Sequence, residues 1–399
     1  MVNSVNTTRC LQRSCVVVAS AVALTAASLI VPVAPAHAAD PITAADQPYF
    51  TYYHLDQARA KGYTGKGVTI AMIDGPVETS ALELTGASIQ EKETCSINSS
   101  LASKSHGTSV ASILVSRNYG VAPDATLLTY LTGSRQDGDQ PSSDCFDDTK
   151  HIKYGYAWLL NSAMNDGAQI INLSSSSTSQ ENELKWAIAR SMAQGIIITA
   201  SAGNEATDGN TTSLSQWSGV VGVSAIGIDD SRQDYSSWGQ GVTTAAVGGP
   251  LVVHDYSNGQ VRQVSGTSVS APIVAGTLAL AHQKWPNATS NQLLQLLVKT
   301  GLNPDHGWNQ YTGYGAIDPA AIVNTDPTQF PDENPLADKG GGSSPTLAEV
   351  QQYLDGIVDP KEIVNDNSYT YRGLDESKLT DPMNTSMTHL GTSPRYHAK

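Results

Sequence analysis

The stretch AQIINLSSSSTSQENELKWAIARSMAQGIIITAS, residues 168–201, decides the fold. Its two ends, 168–174 and 195–201, are short apolar runs, and residues 183–194 between them have a helical pattern. Continuous apolar runs of this length are typical of strands that are buried on both faces of a parallel sheet. The stretch therefore predicts a strand–helix–strand unit.

The same alternation extends outward from this unit over about residues 52–325. Further strands are predicted at 68–73, 126–131 and 219–226, and further helices at 106–116, 152–164, 268–285 and 290–300. Alternating strands and helices predict an α/β domain with a mainly parallel sheet and helices on both faces. Reactive groups in such sheets gather at the carboxyl ends of the strands.

The first 38 residues have the pattern of a secretory signal peptide. Arg9 and Arg13 precede an apolar run at 15–31, and Ala36-His37-Ala38 has the small-x-small pattern of a cleavage site. The alternative is an uncleaved membrane anchor, because the run approaches spanning length. The prolines after the run favour cleavage, so we predict a secreted, extracellular protein. Residues 39–51 then form a short leader.

The charge of the chain limits its partners. The whole chain carries 23 basic and 37 acidic residues, a formal charge of −14. Loss of residues 1–38 removes two arginines and leaves 21 basic against 37 acidic residues, or −16. Such a charge argues against nucleic acid and anionic lipid as partners. No second apolar run reaches spanning length, so we expect a mature chain without a membrane span. We also expect a monomer.

Two cysteines, Cys95 and Cys145, remain after residue 38. In an exported chain a pair of cysteines predicts one disulfide, because the compartment is oxidising. The alternative is two unrelated free thiols.

The composition changes after Asp326. Residues 326–345 contain four prolines around a glycine run, which predicts an extended, flexible linker. Residues 346–399 are mostly polar and predict a flexible tail with one short helix, whose apolar face would carry Leu347, Val350, Leu354 and Ile357.

Four polar residues stand where predicted strands end or helices begin. Asp74 follows the strand at 68–73, His106 opens a helix, Asn204 follows the strand at 195–201, and Ser268 opens the helix at 268–285. Each alone is typical of a turn or a solvated surface. A serine hydroxyl becomes a nucleophile only beside a base that a third group orients, so the four are meaningful as a set.

The neighbours of these residues read I-D-G, H-G-T-S-V-A, A-G-N and G-T-S-V-S-A-P. In this order they resemble the subtilisin-like serine proteases, or subtilases, over about residues 52–322. The resemblance implies a polypeptide substrate, with Ser268 as nucleophile, His106 as general base and Asp74 as the group that orients His106. It also implies that Asn204 lines the oxyanion hole and that Ser174, Ser175 and Ser176 form a substrate-binding edge.

The layout is most similar to the actinobacterial mycosins, which lack a long prosegment, although this chain has no mycosin-like C-terminal membrane helix. It also departs from the family at Gly75-Pro76, where Thr-Gly or Ser-Gly is usual. That departure motivates an alternative function, a catalytically silent subtilase-fold binding or scaffold protein. Relatives often hold structural calcium, but no ligand set can be assigned here, and we expect no other cofactor.

Overall fold

The computed structural model describes residues 41–134, 138–146, 153, 155–175, 182–209, 213–303, 307–358, 362–363 and 365–368. The predicted signal peptide and residues 369–399 lie outside this part of the chain. The described strands are β1 (Thr69–Asp74), β2 (Ser88–Glu91), β3 (Ile97–Asn98), β4 (Thr126–Leu131), β5 (Gln140–Pro141), β6 (Ile170–Leu173), β7 (Ile197–Ser201), β8 (Val220–Ile226), β9 (Val242–Val247), β10 (Leu251–Asp255) and β11 (Gln260–Val264).

Seven of these strands form one parallel sheet in the order β2-β4-β1-β6-β7-β8-β9. The parallel sheet predicted from the apolar runs is therefore confirmed. The predicted strand 126–131 has the bounds of β4, and the other four predicted strands differ by one or two residues at one or both ends. Neither β2 nor β9 was predicted from the sequence, and β2 was hidden because at this sheet edge its residues are mostly exposed and polar.

The described helices are α1 (Pro48–Tyr52), α2 (Leu55–Ala60), α3 (Leu101–Val115), α4 (Tyr156–Asn165), α5 (Asn182–Gln194), α6 (Thr267–Lys284), α7 (Ser290–Thr300), α8 (Pro319–Asn324) and α9 (Leu347–Asp355). On one face of the sheet, α3, α6 and α7 pack on a core that includes Ile70 and Met72 of β1. On the other face, α4 and α5 pack on a core that includes Ala71 and Ile73. No helix in the described ranges has the length and apolar character that a membrane span requires.

Helix α3 begins earlier than the sequence predicts. Ser100 caps it by accepting a hydrogen bond from the backbone N–H of Ser103 at 3.0 Å, and the helix starts at Leu101. Its first turns contain the polar residues of LASKS, which hid the start of the apolar pattern. The expectation that His106 opens the helix is therefore wrong, and His106 lies in its second turn.

The leader predicted at residues 39–51 packs against the domain over the part that the structure describes. Ile42, Tyr49 and Phe50 are buried in the same core as α3 and α6. The Tyr49 hydroxyl donates to the carbonyl of Tyr119 at 2.8 Å. The leader is attached because its aromatic side chains bury apolar area that would otherwise face water.

Residues 326–345, predicted to be an extended linker, also lie against the domain. Leu336 is buried and its carbonyl accepts from the backbone N–H of Gly219 at 2.7 Å. The ammonium group of Lys339 points inward and donates to the carbonyls of Ser215 and Gly241, at 3.0 and 2.5 Å. These contacts hold the segment in place despite its proline and glycine content.

Helix α9 docks on α5, but through another face than the sequence predicts. Tyr353 is buried in a cluster with Trp186, Ala189, Val358 and Ile363, whereas Leu347, Leu354 and Ile357 are exposed. Of the predicted apolar face only Val350 packs against this cluster, so most of that face is not the docking face. The reason is a buried ion pair between Arg190 of α5 and Asp366, to which the Tyr353 hydroxyl also donates.

Candidate active site

A cavity of about 540 Å³ opens at the carboxyl ends of the adjacent strands β1, β6 and β7. We call it the cleft. It is lined by all four predicted catalytic residues, Asp74, His106, Asn204 and Ser268. The parallel strands β1 and β7 bring Asp74 and Asn204 to the same edge of the sheet, whereas His106 and Ser268 are supplied by the early turns of α3 and α6.

Asp74 and His106 form a hydrogen-bonded pair. The Nδ1 atom of His106 lies 2.7 Å from Oδ1 of Asp74, and the backbone N–H of Gly75 donates to the same oxygen at 2.7 Å. The Asp74 side chain is only 3% exposed and that of His106 is 39% exposed. The second Asp74 oxygen, Oδ2, is buried and has no hydrogen-bond partner among the described residues. Such a carboxylate holds the imidazole through a single strong contact.

Gly75 allows the turn after β1 to touch α3. A Cβ atom at Gly75 would lie 2.4 Å from the carbonyl oxygen of Ser103, and a Cβ atom at Gly107 would lie 2.4 Å from the carbonyl oxygen of Gly75. Neither position can hold a larger residue unless the backbone moves. The departure from the family's Thr or Ser after the aspartate thus has a packing cause: the backbone that carries His106 occupies the space that a side chain would need.

Ser268 is the second residue of α6, and it is half-buried. The helix N-terminus places backbone N–H groups and the positive end of the helix dipole beside its hydroxyl. Gly266 precedes the helix, and a Cβ atom there would lie 3.1 Å from Ser268 Oγ and 3.2 Å from Asn204 Nδ2. The glycine therefore keeps open the space between the hydroxyl and the amide. Ser270 differs, because it is buried and donates to the carbonyl of Ala246.

Thr267 fixes the orientation of the Asn204 amide. Its backbone N–H and its hydroxyl donate to Asn204 Oδ1 at 2.8 and 3.0 Å. Because the oxygen of the amide is occupied by two donors, its NH₂ group remains on the side of Ser268 Oγ. Sequence reasoning did not single out Thr267, although it lies inside the G-T-S motif.

The predicted substrate edge is described in part. Ser174 is buried and its hydroxyl accepts from Asn172 Nδ2 at 2.9 Å, while Ser175 Oγ lies 2.6 Å from the hydroxyl oxygen of Tyr156. Both serines line the cleft, and Ser176 lies outside the described residues. Burial raises the pKa of Tyr156, so this phenol stays protonated and polar contacts fill this end of the cleft.

Sequence reasoning missed Asp139, which also lines the cleft. Its carboxylate accepts from the backbone N–H groups of Ser100 and Ser134 and from the hydroxyl of Ser103, at 2.7 to 2.9 Å. It thereby joins the start of α3 to the loop after β4. No sequence signal marks it, since it stands in an irregular loop without a motif.

Cys95 and Cys145 form a disulfide with a Cα–Cα distance of 4.8 Å. It links the loop that follows β2 to the loop that follows β5. Asp139, which lines the cleft, directly precedes β5. No group of three or more His, Cys, Asp or Glu side chains in the described part of the chain is arranged to hold a metal ion.

Comparison with known proteins agrees with this geometry. The model of the subtilase family matches residues 65–315, more than half of the chain. Subtilisin E from Bacillus subtilis is 28% identical over 294 residues, 68% of this chain and 71% of the relative. A subtilisin from Bacillus pumilus is also 28% identical, over 68% of this chain and 98% of its own length.

Among solved structures, MycP1 from Mycobacterium smegmatis is 25% identical, with a TM-score of 0.59 over 77% of this chain and 91% of that chain. The resemblance to mycosins is thus confirmed at the level of the fold. The family match, the subtilisin relatives and the arrangement of the cleft lead to one conclusion: this chain belongs to the subtilase family of serine proteases.

Proposed function

We propose that the protein is a secreted serine endopeptidase that hydrolyses peptide bonds with Asp74, His106 and Ser268 as its catalytic triad. The observation that carries the proposal is the geometry of Asn204. Its amide oxygen is held by Thr267, and its NH₂ group and Ser268 Oγ both lie close to the same point above Gly266. An amide donor locked beside a serine hydroxyl is the arrangement that an oxyanion hole requires.

In this mechanism Ser268 attacks the carbonyl carbon of the substrate. His106 takes the hydroxyl proton and later gives it to the leaving amine, while Asp74 holds the ring so that Nδ1 keeps its proton. Asn204 and the backbone N–H of Ser268 stabilise the negative charge that develops on the carbonyl oxygen. Water then attacks the acyl-enzyme with His106 as base, and the second product leaves.

The substrate is an extended polypeptide, held along the edge after β6 by main-chain hydrogen bonds at Ser174 to Ser176. Such pairing recognises the backbone rather than the sequence. We assign a restricted specificity to the enzyme because polar and charged side chains line most of the cleft. The described leader residues, 41–51, do not line it.

A fluorophosphonate probe tests the triad directly. Wild-type protein should be labelled, and Ser268→Ala should not be labelled although its circular dichroism is unchanged. Ser80→Ala removes an exposed hydroxyl outside the cleft and should label like the wild type. Well-folded wild-type protein that fails to label would favour the alternative, a silent scaffold, which the departure from the family at Gly75-Pro76 motivates.

Two further measurements test export and the restricted specificity. Protein recovered from the culture medium should begin at Ala39, and retention of residues 1–38 would contradict cleavage of a signal peptide. Incubation with denatured casein should give slow cleavage at few sites. Rapid digestion to small peptides would show that the specificity is broad.

A further inference from the structure

The hairpin β10–β11 leads directly into the segment that carries Ser268. Residues 262–265, at its end, all line the cleft. Arg262 is one of them, and its side chain is 48% exposed. An arginine in this position can meet a bound peptide.

The guanidinium group is loosely held. Its Nε atom lies 3.4 Å from Oδ2 of Asp255, and among the described residues it forms no hydrogen bond. The Asp255 carboxylate already accepts from the backbone N–H and the hydroxyl of Ser257 on Oδ1, at 2.9 and 2.5 Å, and from the Asn258 amide on Oδ2 at 3.3 Å. The bonds from Ser257 lower its pKa. The terminal nitrogens of Arg262 are therefore available for a two-point contact with another carboxylate.

The charge around Arg262 gives this contact selectivity. It is the only lysine or arginine among the described residues that line the cleft, and the acidic residues there are Asp74, Asp139 and Glu205. The chain as a whole has a formal charge of −14. An acidic substrate side chain is thus repelled along most of the cleft and attracted at one place.

The hairpin lies on the side of the leaving group. The backbone N–H of Tyr256, at its turn, donates to the hydroxyl of Ser105 at 2.9 Å, and Ser105 directly precedes His106. The ammonium of Lys104 lies 5.6 Å from the centre of the Tyr256 ring. Because His106 delivers its proton to the leaving amine, the part of the peptide after the cleaved bond lies on this side. Arg262 precedes Ser268 by six residues, which limits the distance between their Cα atoms to about 20 Å, the span of several residues of an extended substrate.

We propose that Arg262 selects an acidic side chain at the second or third residue after the cleaved bond. This inference rests on the proposed endopeptidase function. It makes Arg262 a specificity-determining residue, which binds the substrate without taking part in the chemistry.

Three peptides test the proposal. They share one sequence and carry Asp, Ala or Lys at the second position after the cleaved bond, with a second set varied at the third position. The wild type should cleave the Asp peptide about five- to tenfold more efficiently, in kcat/KM, than the Lys peptide in one of the two sets. The preference should shrink at 0.5 M salt, because the pair is exposed.

Variants locate the effect. Arg262→Gln should abolish the preference, and Arg262→Glu should reverse it, with little change for the Ala peptide. Lys299→Gln removes the same charge from an exposed position of α7 and should keep the wild-type preference. Equal cleavage of all peptides by the wild type, or an unchanged preference in Arg262→Glu, would overturn the proposal.

Binding separates this inference from the proposed function. Dissociation constants of the same peptides are measured with Ser268→Ala, which needs no turnover. Tighter binding of the Asp peptide that is lost in Ser268→Ala/Arg262→Gln supports the role of Arg262 even where no peptide is cleaved. Absence of any charge preference in binding, together with efficient cleavage, would leave the peptidase intact and refute the selection.

Discussion

Two buried charged groups in this protein differ in how many of their polar atoms have a hydrogen-bond partner. The Asp74 carboxylate at the cleft receives two hydrogen bonds on Oδ1 and none, among the described residues, on its buried Oδ2. The Arg190 guanidinium beneath the C-terminal segment is 2% exposed, and each of its nitrogens has a partner. These partners are Gln194 on Nε, Asn161 and Asp366 on Nη1, and Asn165 and Asn367 on Nη2.

The two groups differ in role: in the proposed mechanism Asp74 takes part in the reaction, whereas Arg190 fixes the position of the C-terminal segment. A buried charge with every hydrogen-bonding site occupied fixes one arrangement of the chain, and removal of a partner is costly. A buried carboxylate with free capacity can respond when the charge on its neighbour changes. Asp74 faces such a change whenever His106 accepts a proton. Substitutions at Asp74, Asp366, Asn204 and Lys339 test and extend this comparison.

The largest effect is expected at Asp74. In Asp74→Asn the side chain keeps its shape but no longer stabilises a protonated His106, so kcat should fall by about 10⁴-fold. The free energy of unfolding should change little, because the amide has the size of the carboxylate and its oxygen can still accept from the backbone N–H of Gly75. Steady-state kinetics and urea unfolding measure the two quantities. A large loss of stability with normal turnover would assign Asp74 to the structure instead.

The reverse pattern is expected at Asp366. Asp366→Ala leaves Arg190 buried without its carboxylate and should lower the free energy of unfolding by about 3–5 kcal/mol. Turnover at low temperature should remain that of the wild type. Arg190→Met/Asp366→Leu, which removes both charges, serves as the matched control and should be far less destabilised. If the double variant is as unstable as the single one, the ion pair is not what matters.

Asn204→Ala should reduce kcat by about 10²- to 10³-fold, the general magnitude for the loss of one oxyanion-hole donor. KM should stay nearly constant, because the donor acts on charge that appears only in the transition state. Thr267→Val, which removes only the hydroxyl that orients the amide, should give a smaller loss of the same kind. A raised KM at constant kcat would make Asn204 a binding residue.

The smallest effect concerns Lys339, whose ammonium donates only to backbone carbonyls among the described residues. Burial lowers its pKa to about 7 from an ordinary value of 10.5. Between these values the unfolded chain binds more protons than the folded chain, so the free energy of unfolding should rise with pH. The rise should be about 1 kcal/mol between pH 7 and pH 8, relative to Lys339→Met. If the free energy of unfolding of the two proteins changes with pH in the same way, burial does not lower the pKa of Lys339.

The sheet and the four predicted catalytic positions could be found from sequence because their signals are local. Apolar runs such as 126–131 mark buried strands, and the short motifs mark residues at the strand ends. The docking of α9 could not be found in this way. Its apolar stripe at Leu347 and Leu354 predicts one face, but Tyr353 is buried because a carboxylate thirteen residues later meets an arginine on α5. That pairing has no local signature.

The contact between Gly75 and Gly107 constrains how this sequence can change. A single substitution of Gly75 by the Thr or Ser that its relatives use would bring a Cβ atom to 2.4 Å from the carbonyl oxygen of Ser103. The hydroxyl can therefore return only after the helix that carries His106 has shifted, and Gly107 leaves no room for a shift toward the turn. Gly75 and Gly107 are therefore expected to change only together. Libraries that vary Gly75 or Gly107 one at a time should recover glycine at both positions. A side chain that adds a hydrogen bond to Asp74 from position 75 therefore requires substitutions at both positions together.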